Sequence, residues 1–373
     1  MTRTILNAAT AGVQALSPYV PGKPLSELER EFGIRNAVKL ASNENPLGPG
    51  PAVLEALRGE FADLGRYPDG NGFALKGALS QHLGVEPACI TLGNGSNDVL
   101  ELVARAFLAP QSSAVFSAHA FAVYPIVTQA IGARGNMAAA HDGSRGPKFG
   151  HDLEAMRAAV DADTRVVFIA NPNNPTGTWL GAGELRAFIE QLRSDIVVVV
   201  DEAYSEYVAE PDYPDALQWI ADFPNLLVTR TFSKAYGLAS LRVGYGVSQP
   251  QLADVLNRVR QPFNVNSFAQ AAAVAALHDE VHLRESVDVN RRGMQQLEAG
   301  FAALNLSWVP SIGNFISVDV GRDPGHVYTQ LLRRGVIVRP VDNYAMPGHL
   351  RISIGLPEEN RRCLEALGEV LKA

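Results

Sequence analysis

Lys234 stands in the run Thr231-Phe232-Ser233-Lys234-Ala235-Tyr236-Gly237-Leu238-Ala239-Ser240-Leu241-Arg242-Val243-Gly244, just after a strand candidate and eight positions before an arginine. A lysine partly desolvated among small residues can hold a neutral amine and attack a carbonyl to form an imine. Alone, a Ser-Lys pair is a weak signal and reads more readily as a surface lysine. Asp201-Glu202-Ala203-Tyr204 follows the apolar run Ile196-Val197-Val198-Val199-Val200 at once. A carboxylate at such a strand end needs a cationic partner, for which a protonated pyridine nitrogen would serve; a helix cap or a structural ion pair would account for it too. Asn171-Pro172-Asn173-Asn174-Pro175-Thr176-Gly177 is a rigid turn that presents an amide side chain, or simply a turn. The amides of Gly95, Ser96 and Asn97 open a helix, where free N–H groups and the helix dipole suit a phosphate, although many such junctions serve packing alone.

All four places follow strand candidates, and in open α/β sheets ligands sit beyond the carboxyl ends of the strands. The strands expected are Cys89–Leu92, 114–117, Arg165–Ala170, Ile196–Val200 and Leu226–Thr229, separated by helices such as 51–59, 150–160 and 182–193. Continuous β-branched runs suit strands covered on both faces, hence a mainly parallel sheet. Beyond about residue 260 the pattern changes to a long Ala-rich helical stretch over 267–305, then Phe315–Val320, a helix at 324–334, Gly335–Arg339 and Leu350–Ile354. The fold class is therefore α/β, with a large mainly parallel-sheet domain at 51–262 and a smaller α+β C-terminal domain at 263–373. Residues 1–50, broken by prolines at 18, 21, 24, 46 and 49, read as an arm.

The 373 residues are 47% hydrophobic and 19% charged, the balance of a soluble globular enzyme. A net charge of -7 without a dense Lys/Arg run argues against a nucleic-acid partner. Cys89 and Cys363 have neither disulfide-framework nor zinc-like spacing, so no metal is expected. No segment reaches the apolar length of a membrane span, and the start of the chain lacks the apolar core of a signal peptide. A cytoplasmic location is the expectation.

Taken in order, phosphate-type turn, Asn-Pro-Thr-Gly, Asp-x-x-Tyr, Ser-Lys and then Arg, these motifs resemble the fold type I aminotransferases that use pyridoxal 5'-phosphate (PLP). The resemblance implies that Lys234 bonds the cofactor through an imine and shuttles the proton, and that Asp201 pairs with the pyridine nitrogen. It makes Tyr204 and Asn174 donors to the ring hydroxyl, and Gly95, Ser96, Asn97, Ser233 and Arg242 the phosphate holders. Phe121 matches the ring that stacks on the cofactor; some relatives have tyrosine there.

Leu40-Ala41-Ser42-Asn43-Glu44-Asn45-Pro46, Arg66-Tyr67-Pro68-Asp69-Gly70 and Leu350-Arg351-Ile352-Ser353-Ile354-Gly355 narrow the resemblance to the histidinol-phosphate aminotransferases, from about Leu16 to the C-terminal helix. That family implies a homodimer in which Tyr67 reaches the neighbouring subunit's cofactor phosphate, with Tyr19, Asn43, Arg339 and Arg351 around the substrate. Arg351 would read the carboxylate of glutamate or the phosphate of histidinol phosphate in turn. The implied reaction is transfer of an amino group between L-histidinol phosphate and 2-oxoglutarate, giving imidazole acetol phosphate and L-glutamate in histidine biosynthesis. A broad aromatic aminotransferase and a threonine-phosphate decarboxylase resemble the same family. A non-catalytic regulator on this fold would need a DNA-binding module, which the short, proline-broken arm does not supply.

Overall fold

The computed structural model describes residues 5–19 and 21–372. Its larger sheet has seven strands in the order Ile90–Gly93, Gly244–Ser248, Leu226–Thr231, Val197–Asp201, Thr164–Ala170, Ser113–Ser117 and Arg134–Ala138. Only Gly244–Ser248 runs antiparallel to its neighbours. Alternate residues of the central strands enter two separate cores. Val167, Ile169, Val198, Val200, Leu226 and Val228 face one side, and Val166, Phe168, Val197, Val199 and Leu227 face the other. Both faces are thus covered, which is why these strands read as unbroken apolar runs.

The register aligns the carboxyl ends of three strands. Ala170 pairs with Asp201, and Asp201 with Thr229. Polar residues that follow or end these strands are therefore brought side by side at one edge of the sheet.

The second sheet is antiparallel, in the order Arg339–Pro340, His349–Ser353, Phe315–Asp319 and Ser307–Val309. Helices Glu280–Ala303, Pro324–Arg333 and Pro357–Lys372 close its core around Leu297, Phe301, Ile316, Leu331, Ile352 and Leu367. The amino-terminal segment is joined to this layer. Val38–Lys39 pairs in parallel with Val336–Ile337, and Leu40 enters its core.

The expected Ala-rich stretch over 267–305 is two helices, Ser267–His278 and Glu280–Ala303. Asp279 makes the break: its carboxylate accepts the His282 amide and caps the second helix, which costs less than leaving that N–H unpaired. The first of these helices packs Ala269, Ala272, Ala273 and Ala276 into the core of the larger sheet. The expected single strand over 335–339 is also divided, its two halves pairing in different sheets.

Candidate active site

A cavity of about 200 Å³ opens at the aligned strand ends, between the two sheets. Ser96, Asn97, Phe121, Asn174, Asp201, Tyr204, Ser233, Lys234 and Arg242 line it from the large sheet's side. Asn43, Tyr19, Arg339 and Arg351 line it from the arm and the small sheet. Of the sequence-predicted residues, Gly95 lies behind Arg242 and Tyr67 is not brought to this cavity at all. Tyr67 is 81% exposed and stacks on Phe263, with ring centroids 4.7 Å apart.

Lys234 Nζ donates to the Ser42 carbonyl at 3.2 Å. Burial lowers its pKa to about 7, and the positive charges of Arg351, Arg242 and Lys39 add to the effect against the opposing Glu44. Near neutral pH a substantial fraction of the amine is therefore unprotonated, as imine formation requires. Asp201 is 5% exposed, with Oδ1 accepting from Thr229 Oγ1 and Oδ2 from the Tyr124 hydroxyl, each at 2.9 Å. Burial raises its pKa against those two hydrogen bonds and the charge of Lys234. Among the described residues no cation comes within ion-pair distance of it.

The helix Ser96–Phe107 begins at Gly95, and no side chain caps it. The Arg242 guanidinium, anchored to Ser233 Oγ at 3.3 Å and the Ala239 carbonyl at 3.0 Å, lies beside that helix start. Bare helix amides, a hydroxyl and a guanidinium make a site for a phosphate dianion.

On the opposite wall Arg351 is 6% exposed and donates to Asn174 Oδ1 at 2.5 Å and to the Ala41 carbonyl at 2.8 Å. Its guanidinium lies over the Phe315 ring at 5.4 Å, and its Nε has no partner among the described residues. Because a guanidinium only donates, it holds Asn174 with Oδ1 turned toward it, leaving Nδ2 as that side chain's donor. Asn43 Nδ2 donates to the Tyr204 hydroxyl at 3.0 Å, and Ser353 Oγ donates to Asn43 Oδ1. Arg339 stands 5.6 Å from the Tyr19 ring in a cation–π contact.

Sequence reasoning did not single out Tyr124, Thr229, Ser42 or Ser353. Tyr124 lies three residues after Phe121 at the start of the helix Val123–Ile131, so its spacing could have flagged it. Thr229 could be found only from the strand register.

A family model described as aminotransferase class I and II matches residues 35–367. The chain is 63% identical over its full length to histidinol-phosphate aminotransferase 2 of Pseudomonas fluorescens, of which it covers 99%. It is 64% identical to the protein of the same name from Pseudomonas aeruginosa, over 98% of each chain. The protein belongs to the histidinol-phosphate aminotransferases, within aminotransferase classes I and II.

The crystal structure of the histidinol-phosphate aminotransferase of Sinorhizobium meliloti, in complex with pyridoxal-5'-phosphate, superposes with a TM-score of 0.87 at 33% identity over 97% of both chains. This aminotransferase is thus a PLP-dependent enzyme with the fold expected from its sequence. The residues present fit that cofactor: an amine with lowered pKa, a buried carboxylate lacking a cation, and an uncapped helix start beside a guanidinium.

Proposed function

We propose that this aminotransferase moves an amino group between L-histidinol phosphate and 2-oxoglutarate, giving imidazole acetol phosphate and L-glutamate. The observation that carries the substrate reading is the pairing of Arg339 with Arg351. They are direct cross-strand neighbours on the antiparallel sheet, 8% and 6% exposed. Both side chains line the cavity, where guanidinium donors suit an oxyanion. A substrate carboxylate or phosphate supplies that anion, so one pair of arginines serves both the glutamate and the histidinol phosphate half reactions. The names of its relatives support histidinol phosphate as the amino donor.

Bound in this cavity, PLP supplies an aldehyde that condenses with amines and a ring that accepts electrons released at the substrate's Cα. Asp201 would face the ring nitrogen and favour its protonated form. Ser96, Asn97, Ser233, Arg242 and the Gly95 turn hold the phosphate, while Phe121 covers one ring face. Tyr204 and Asn174 Nδ2 donate to the ring hydroxyl. Lys234 Nζ would take the proton from the substrate's Cα and move it within the site. Tyr19, contacting Arg339, shields the substrate from water.

The functional unit is a cytoplasmic homodimer in which each Tyr67 reaches the other subunit's cofactor phosphate. Supporting this, large apolar side chains crowd the exposed segment around Tyr67: Leu54, Phe61, Leu64 and Phe73 are 47%, 64%, 64% and 85% exposed. No helix among the described residues is long and apolar enough to cross a membrane.

Steady-state kinetics with histidinol phosphate, phenylalanine and threonine phosphate as competing substrates, and 2-oxoglutarate as acceptor, test the reading. A kcat/KM for histidinol phosphate well above that for phenylalanine is the expected result. Equal values would make the enzyme an aromatic aminotransferase, and release of CO₂ from threonine phosphate would make it a decarboxylase.

A further inference from the structure

The two hydroxyl groups that grip Asp201 are each buried and each committed to one carboxylate oxygen. Tyr124 is fully buried, its ring stacked on Phe168 at 4.9 Å and 5° and set edge-on to Phe121 at 5.9 Å. Thr229 is equally buried and lies directly across from Asp201 in the sheet register, so its Oγ1 reaches Oδ1 without rearrangement. Neither hydroxyl donates to any other acceptor among the described residues.

We propose that Tyr124 and Thr229 are positioning residues that keep the Asp201 carboxylate ionised and fixed in orientation without neutralising it. The inference rests on the reading of Asp201 as the partner of the cofactor's ring nitrogen. Two donors aimed at both oxygens favour the acceptor-only, ionised form, because a protonated carboxyl would set its own O–H against one of them. An arginine or lysine here would achieve the same ionisation but would cancel the negative charge that a ring nitrogen has to meet. Neutral donors leave that charge available. The other titratable groups near this carboxylate are Lys234, Tyr204 and Tyr213. Of these only Lys234 can carry a positive charge, and its amine donates to the Ser42 carbonyl instead.

The test compares the holoenzymes of Tyr124→Phe, Thr229→Val, the double variant, Thr229→Ser and Asp201→Asn. The cofactor dissociation constant is measured by dialysis, and kcat is followed against pH. Tyr124→Phe and Thr229→Val each remove one hydrogen bond to a charged group, so each weakens cofactor binding roughly tenfold. Each also moves the acid limb of the kcat profile to higher pH, since a carboxylate with fewer donors gives up its proton later. Thr229→Ser keeps its hydroxyl and stays near the parent on both measures. The double variant changes less than the product of the singles, because both act through one carboxylate. If Tyr124→Phe and Thr229→Val lower only thermal stability, with acid limb and dissociation constant unmoved while Asp201→Asn loses the cofactor, the inference is overturned and the role of Asp201 stands. If Asp201→Asn itself binds cofactor and turns over like the parent, the reading of Asp201 fails first.

Discussion

The Arg242 guanidinium occupies the space that a side chain on residue 95 would need: a Cβ built on Gly95 falls 2.4 Å from Nη2. Gly95 also has a φ of +78°, where side chains are strained. Gly95→Ala therefore displaces the arginine and strains the helix start together. We expect cofactor dissociation to become at least roughly tenfold weaker, with a loss of about 1–3 kcal/mol in apoprotein stability. Equilibrium dialysis and denaturant unfolding read the two effects separately.

The Lys234 ammonium, lowered from 10.5 to about 7, has a signed consequence for stability. Between those values the unfolded chain holds a proton that the folded apoprotein has given up, so stability rises with pH across that window. The penalty for burying the charge is complete below about pH 7 and gone above about 10.5. Lys234→Met removes the group. We expect the apo variant to be more stable than the parent by a few kcal/mol below pH 7, the gap closing as pH rises toward 10.5. Urea unfolding at a series of pH values measures it, and a gap independent of pH would refute the shift. The same variant loses turnover and the imine absorbance.

Arg351→Gln takes the cation from between Asn174 and the Ala41 carbonyl while leaving the strand intact. Its expected signature is a fall in kcat/KM of about a hundredfold for histidinol phosphate and 2-oxoglutarate alike, with imine absorbance retained. A loss confined to one substrate would show that the two half reactions use different anion readers.

Tyr67, outside its own chain's cavity, gives a complementation test of shared sites. Tyr67→Phe and Lys234→Ala each impair activity alone. A mixed dimer of the two carries one site with both defects and one with neither. Co-expression is expected to recover up to one intact site per mixed dimer, measured after affinity separation on two tags. No recovery would place Tyr67 outside its partner's site.

How far the sequence led depends on the range over which each feature is encoded. Lys234, Asp201, Asn174 and Ser96 were legible because chemistry-bearing side chains directly after apolar runs are local patterns, and the sheet brings such ends together. The grip of Thr229 on Asp201 was not, since it depends on which strands are neighbours and in what register. The reversed strand Gly244–Ser248 escaped notice because Gly-Tyr-Gly-Val-Ser lacks the β-branched run that marks the central strands. Arg134–Ala138, an edge strand of Arg-Gly-Asn-Met-Ala exposed over most of its length, had the same disguise. The break at Asp279 turned on cap chemistry inside a stretch whose composition favours helix throughout.

Arg351 approaches the cavity from the small sheet and Lys234 from the large one, yet the arginine's charge helps hold the lysine amine near neutrality. Selectivity and reactivity are thereby tied to one electrostatic thread across two layers. A lineage that trades Arg351 for a neutral residue to welcome an uncharged substrate also makes Lys234 more basic, and its working pH drifts upward. Such a change of diet would demand a compensating substitution elsewhere around the lysine, with Glu44, whose charge pulls in the opposite direction, the nearest place to make it.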